Sequence, residues 1–190
     1  MTKRLPRWFG IAGLITVVSV FIVFEYFEFK YFRPYLPQIE SVYAALPEQE
    51  KQLPKFQRMV ISKMLDKDNS QFRIDSVLSS HLISELSVPH KDEMAWHLLN
   101  LFWILELRVH LSADERFALY CHEMHFDDGK GKGLLYGSLS TFHKLPSALT
   151  VPELATLMTI QGAPAYYPHH PDALEERRAR LLEQYNEKTQ

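Results

Sequence analysis

LTVPELATLMTIQGAPAYYPHHPDALEERRARLL, residues 149–182, decides how this chain is read. Thr150 is followed three positions later by Glu153. That is a capping box: the hydroxyl accepts the N3 amide while the glutamate reaches back to the cap amide. The apolar positions after it carry a helix to about residue 160. An elbow rich in proline and tyrosine follows, with Pro164, Tyr167 and Pro168. Pro171 then sits at a first helical position, where its missing N–H costs nothing. The helix it opens runs to about residue 187 and is dense in arginine.

The same signals extend upstream. Ser112 and Glu115 form a second capping box and open a helix through about residue 124. Between the two boxes, DDGKGKGLLYGS (127–138) holds Gly129, Gly131, Gly133 and Gly137 and reads as a flexible connector. EMAWHLLNLFWILELRVH (93–110) is the most apolar stretch outside the N-terminus and predicts the central core helix. His97, Asn100, Glu106 and Arg108 make it too polar to span a membrane. Further back, Phe56, Met59, Val60, Met64 and Leu65, then Val77, Leu78, Leu82, Ile83 and Leu86, recur at spacings of three and four. No alternating strand pattern stands out, so the fold class is mainly α.

The N-terminus reads as a membrane anchor. Lys3, Arg4 and Arg7 precede WFGIAGLITVVSVFIVF, residues 8–24, which carries no charge. Seventeen residues is the short end of a spanning helix, which needs about 17–25. Tyr26, Phe27, Phe29, Tyr31 and Phe32 extend it as an aromatic belt. Basic residues before the run and mixed charge after it put the N-terminus in the cytoplasm and the rest outside. A cleaved signal peptide is the rival reading, but bulky and acidic residues stand where a small-residue cleavage site belongs. Pro34, Pro37, Pro47 and Pro54 mark a linker with a short helix over about 38–46. The organisation is therefore a cytoplasmic tail (1–7), an anchor with its belt (8–32), a juxtamembrane linker (33–54) and a helical domain (55–190).

Composition narrows the class of function. Twenty-one basic against 23 acidic side chains give a net charge of -2, without the basic excess of a nucleic-acid binder. Cys121 is the single cysteine, so no intramolecular disulfide forms. His122 and His125, at i and i+3, are candidate metal ligands, but no second ligand pair of recognised spacing accompanies them, and helix-end histidines are the plainer reading. GKGKG (129–133) lacks the ending and the preceding strand of a phosphate-binding loop. His169-His170 reads as a polar helix entry. Arg177, Arg178 and Arg180 either grip an anion or form a solvated face with Glu175, Glu176 and Glu183. No metal and no cofactor is called for.

The C-terminal half resembles the peptidoglycan glycosyltransferase domain, glycosyltransferase family 51, which polymerises lipid II. Leu149, Thr150, Glu153, Ala155 and Leu157 match its Leu-Thr-x-x-Glu-x-Ala-x-Leu helix. Gln161, Ala163, Pro164, Tyr167, Pro168, Pro171, Arg177, Arg178 and Leu182 continue through its elbow and arginine helix. Thr141 to Lys144 stand at its Tyr-Phe-Gly-Lys, and Ser112 to Tyr120 at its Ser-Lys-Asp-Glu-x-Leu-x-x-Tyr helix. Gly133 and Gly137 fall in its Gly-rich connector. The resemblance implies a lysozyme-like helical domain and no cofactor.

The family's chemistry is where this chain departs. Its Glu-Asp-x-x-Phe-x-x-His segment falls on MVISKMLDKDN, with Met64 and Leu65 in place of the acidic pair. Its Gly-Ser-Thr-Ile-Thr-Gln-Gln falls on DSVLSSH, and its Arg-Lys-x-x-Glu on WHLLN, with Trp96, His97 and Asn100. A positioned base contributes about 10²–10⁴-fold, and methionine accepts no proton. The resemblance thus implies a membrane-anchored, extracytoplasmic relative in cell-wall biology with a degenerate reaction centre. It would act by binding a glycan strand, lipid II or a cell-wall synthase, at a bacterial inner membrane. Lys144, Arg177 and Arg178 are the implied ligand contacts, and Glu153, Pro164 and Pro168 are framework. One rival is an active transferase with Asp66, Asp68, Glu85 or Glu93 as base. Another is a tethered interaction module unrelated to the cell wall.

Overall fold

The computed structural model describes residues 7–65, 70–127, 131–187 and 189, with side chains from residue 16 onward. The described residues hold ten α-helices and no strand, so the chain is mainly α as expected. It divides into two compact units, residues 1–40 and 41–190.

The first unit contains α1 (Arg7–Tyr31) and the start of α2 (Leu36–Ala45). Val17, Val18, Val20, Phe21, Ile22 and Val23 are all exposed on α1, so its apolar surface runs round the helix rather than along one stripe. Among the described residues no helix is long and apolar enough to cross a membrane. Of the apolar run 8–24, the side chains of 8–15 lie outside the described set.

The second unit begins inside the stretch expected to be linker. Leu46, Glu50 and Leu53 are buried there, on and around the short α3 (Glu48–Lys51). The unit continues through α4 (Lys55–Leu65), α5 (Ser70–Glu85), α6 (Glu93–His110), α7 (Ala113–His122) and α8 (Leu134–Phe142). α9 (Val151–Gly162) and α10 (Pro171–Glu187) complete it. Both capping boxes form. Ser112 Oγ accepts the Glu115 amide at 3.2 Å, while the Ser112 amide donates to Glu115 Oε2 at 2.7 Å. The Thr150 amide donates to Glu153 Oε2 at 2.8 Å.

The core lies elsewhere than the hydropathy suggests. α9 buries Leu154, Ala155, Leu157, Met158, Thr159 and Ile160, so it is enclosed on most sides by α4, α10 and their neighbours. α6, expected to be central, buries Leu99, Trp103, Ile104 and Leu107 on one face only. Met94, Leu98, Leu101, Leu105 and Val109 stay exposed on the other. Total apolarity reports how many faces are greasy, not how many meet this chain's own core.

The connector 127–138 is not flexible throughout, because α8 starts within it. Gly133 has φ +99°, a left-handed conformation that disfavours side chains, and a Cβ there would lie 2.6 Å from Glu50 Oε1. Gly137 sits inside α8 where the Phe126 ring lies against the backbone; a Cβ would meet that ring at 2.5 Å. Close packing, not freedom, selects both glycines.

One buried charge registers three helices. Asp75 on α5 has no exposure. It accepts from Arg108 Nε of α6 at 2.6 Å and from Arg116 Nε of α7 at 2.8 Å. One helical turn on, Ser79 Oγ donates to Asn100 Oδ1 of α6. Removing one partner of a buried ion pair strands the other charge and costs about 3–5 kcal/mol. Asp75→Ala is therefore expected to destabilise the fold by about that amount. The shift in urea midpoint, with the denaturant slope unchanged, checks it.

Candidate functional site

α5 and α7 each end in a glutamate. Glu85 is the last residue of α5, and Glu123 is the C-cap of α7. The partial negative charge at a helix C-terminus disfavours carboxylates, so both placements work against helix stability. One lysine offsets both. Lys132 Nζ lies 2.9 Å from Glu85 Oε1 and 2.9 Å from Glu123 Oε1. The two carboxyl groups therefore stand no further apart than twice that distance at these oxygens.

Lys132 is aimed by the turn that follows α7. His125 and Lys132 form an isolated antiparallel bridge. The Gly133 amide donates to the Met124 carbonyl at 2.8 Å, and the Gly131 amide to Asp127 Oδ1 at 2.6 Å. Behind the turn, buried Glu50 accepts the Leu135 amide at 2.9 Å, at the start of α8, and lies 3.1 Å from His122 Nδ1. Carboxylate at a helix N-terminus is the favourable arrangement, and it locks α8 and the turn together.

His81, Ser84, Glu85, Glu123, His125 and Lys132 line a pocket of about 330 Å³. That is within the range of small-molecule sites, about 300–1,000 Å³. The His81 and His125 rings meet edge to face, with centroids 6.0 Å apart. Burial lowers the His81 imidazole's proton affinity, and the nearby His125 and Lys132 lower it further. Burial would raise Glu85, but its ion pair with Lys132 outweighs burial and leaves this carboxyl below the ordinary range. Glu123, 2% exposed, is raised: burial dominates and Lys132 offsets it only in part. Burial also works against the Lys132 ammonium, yet the two carboxyls hold its pKa up. The environment thus drives two neighbouring carboxyls in opposite directions, one towards the acid form and one towards the base form.

The residues marked in the sequence fall mostly elsewhere. Asp66 and Asp68 lie outside the described residues, as do Gly129 and Lys130. Glu93 projects into solvent at the start of α6, 3.8 Å from His97. Lys144 is held by Glu153 at 2.5 Å, Arg178 by Glu175 at 2.6 Å, and Arg177 is exposed on α10. Pro164 and Pro168 shape the elbow between α9 and α10, where the Tyr166 and His170 rings stack at 4.0 Å. Met64 is buried and Leu65 packs on the core, so the positions where the resemblance would put acids are core positions here. His122 and His125 do not converge: one serves Glu50, the other faces His81. Cys121 is fully buried and its thiol is pushed up by that burial, which makes it a packing residue.

Of the pocket, sequence reasoning singled out Glu85 as a rival base and His125 as a weak metal candidate. It missed Glu123, Lys132 and His81. The available signal was His81 and Glu85 at i and i+4 on one helix, but nothing adjacent in the chain reveals what faces them. No family model and no curated protein matches the chain.

Removing the lysine exposes the carboxyl pair. With Lys132→Met, both acids face each other uncompensated, so their folded pKa values rise above the ordinary glutamate value of 4.5. A raised carboxyl stabilises the folded state below its unfolded pKa, and that stability is lost as pH rises through the folded value. The variant's thermal midpoint is therefore expected to fall between pH 4.5 and 7 relative to the parent chain, as read by melts across that range.

Proposed function

We propose that this is a membrane-anchored, extracytoplasmic protein with a lysozyme-like, transglycosylase-related domain. It binds a cell-wall glycan strand or a lipid-linked glycan precursor in the pocket of Glu85, Glu123 and Lys132, without polymerising it. The observation that carries this reading is the pair of glutamates at two helix C-termini, served by one lysine. The arrangement sacrifices helix stability at two places to gather charge in one pocket, the pattern expected at a functional site. Carboxylates and an ammonium around a small cavity suit a ligand rich in hydroxyl groups, through charge-assisted hydrogen bonds.

The absence of polymerisation follows from how the acids are held. A base already engaged by an ammonium at 2.9 Å is a poor acceptor for a sugar hydroxyl proton. The residues matching the family's elbow and second capping box act as framework, with Glu153 tied to Thr150 and Lys144. The apolar run 8–24 and the exposed apolar side chains of α1 support the anchor, and Lys3, Arg4 and Arg7 support its orientation.

A second reading has its own observation. The opposite shifts of Glu85 and Glu123 are those of a general base and a general acid, which supports a working lipid II transferase. One assay separates the two. Purified full chain in detergent is mixed with fluorescent lipid II, and both binding and glycan polymer are measured. Binding without polymer, weakened at least tenfold by Lys132→Ala, is the expected result. Polymer that vanishes in Glu85→Ala establishes the transferase instead, and no binding to lipid II or isolated glycan strands removes both readings. For topology, alkaline phosphatase fused after residue 190 is expected to be active in cells, and an inactive fusion overturns the outward orientation.

A further inference from the structure

The pocket of Glu85, Glu123 and Lys132 sets two carboxyls against one ammonium among the described residues. His81 adds no charge, because burial favours its neutral ring and the nearby His125 and Lys132 reinforce that. His122, behind the pocket, has Glu50 as its own partner at 3.1 Å.

Lys132 is shared unevenly between the two acids. It donates to both carboxyl oxygens of Glu85, at 2.9 Å each. It also stands 2.9 Å from Glu123 Oε1, but out of line for a hydrogen bond, so that buried oxygen has a charge beside it and no donor. His81 Nδ1 is a second enclosed atom with no hydrogen-bond partner among the described residues. A neutral imidazole presents one nitrogen as donor and one as acceptor. The other ring nitrogen bonds the backbone of Glu123, which leaves Nδ1 as the acceptor. Two side chains of one pocket therefore hold acceptors that lack donors, and a buried acceptor left unmet is costly.

We propose that this pocket seats a primary ammonium group carried by its glycan ligand, with Glu123 as the carboxylate that receives it and His81 as a further acceptor. The proposal rests on the glycan reading for the carrier of the ammonium, and on the pocket's own chemistry for the ammonium itself. An ammonium brings three donors and one positive charge. It supplies the donor that Glu123 Oε1 lacks and balances the second carboxyl, while Lys132 keeps its two bonds to Glu85. A hydroxyl brings the donor without the charge. A phosphate or carboxylate brings neither and is repelled by both glutamates. Two sources put such an ammonium on a cell-wall glycan: an amino sugar whose nitrogen is not acetylated, and a diamino acid in an attached peptide.

Calorimetric titration of the full chain in detergent tests the seat with three probes. They are the tetramer of glucosamine, the tetramer of N-acetylglucosamine, and cadaverine, an amine chain without sugar that stands for the peptide source. The glucosamine tetramer is expected to bind roughly tenfold or more tightly than its acetylated counterpart, and Glu123→Gln is expected to bring that ratio close to one. The comparison on the parent chain holds even where Glu123→Gln fails to fold. Cadaverine binding more tightly than the glucosamine tetramer assigns the ammonium to a peptide, and the reverse order assigns it to the sugar. Equal affinity for the two tetramers overturns the ammonium seat and leaves the glycan reading standing. A preference that persists in folded Glu123→Gln comes from general charge attraction and overturns the seat as well. Cadaverine bound with neither tetramer keeps the seat and removes the glycan carrier, and no binding of any probe overturns both.

Discussion

The arrangement of the helical unit depends on Asp75. A carboxylate with no solvent contact is costly unless its charge is met, and here two arginines from two other helices meet it. That geometry fixes how far α5 is translated along α6 and along α7. The pocket follows from it. Asp75 lies ten residues before Glu85, and Arg116 lies seven before Glu123. With the upstream pair joined and both helices running the same way, their C-terminal glutamates finish side by side. The charge in the pocket is therefore set in place by a charge in the interior.

Local signals in the sequence translated well into helix ends. Ser112 with Glu115, Thr150 with Glu153, and Pro171 each mark a boundary that the structure keeps, because caps involve residues within one turn of each other. The span of α6 was legible for the same reason. Its role was not. Hydropathy registered both apolar faces of α6 together and could not say that only one of them is buried among the described residues of the helical unit. The glycines of 131–137 misled in the opposite direction: close approach of Glu50 and Phe126 demands glycine as firmly as looseness does.

The candidate site was legible only in fragments. Lys144 looked available for a ligand because Glu153 was read only as a cap, yet it is held by that glutamate, while Arg178 pairs with Glu175 as the solvated-face alternative had it. Lys132 looked like part of a flexible connector, and its partners Glu85 and Glu123 lie 47 and nine positions upstream. Charge pairs across helices leave no periodic trace, so chemistry built from them emerges only when the helices are packed.

Glu50 gives the pocket a place in time as well as in space. It reaches Leu135 across 85 positions and His122 across 72, so the turn that presents Lys132 closes only after a very long loop has closed. The core of α4, α9 and α10 asks for no such wait along its α9–α10 side, where the two helices are neighbours in the chain. Contacts of high sequence separation tend to form late. The turn that carries Lys132 is thus expected to form later than the α9–α10 pair, whose two helices are adjacent in the chain.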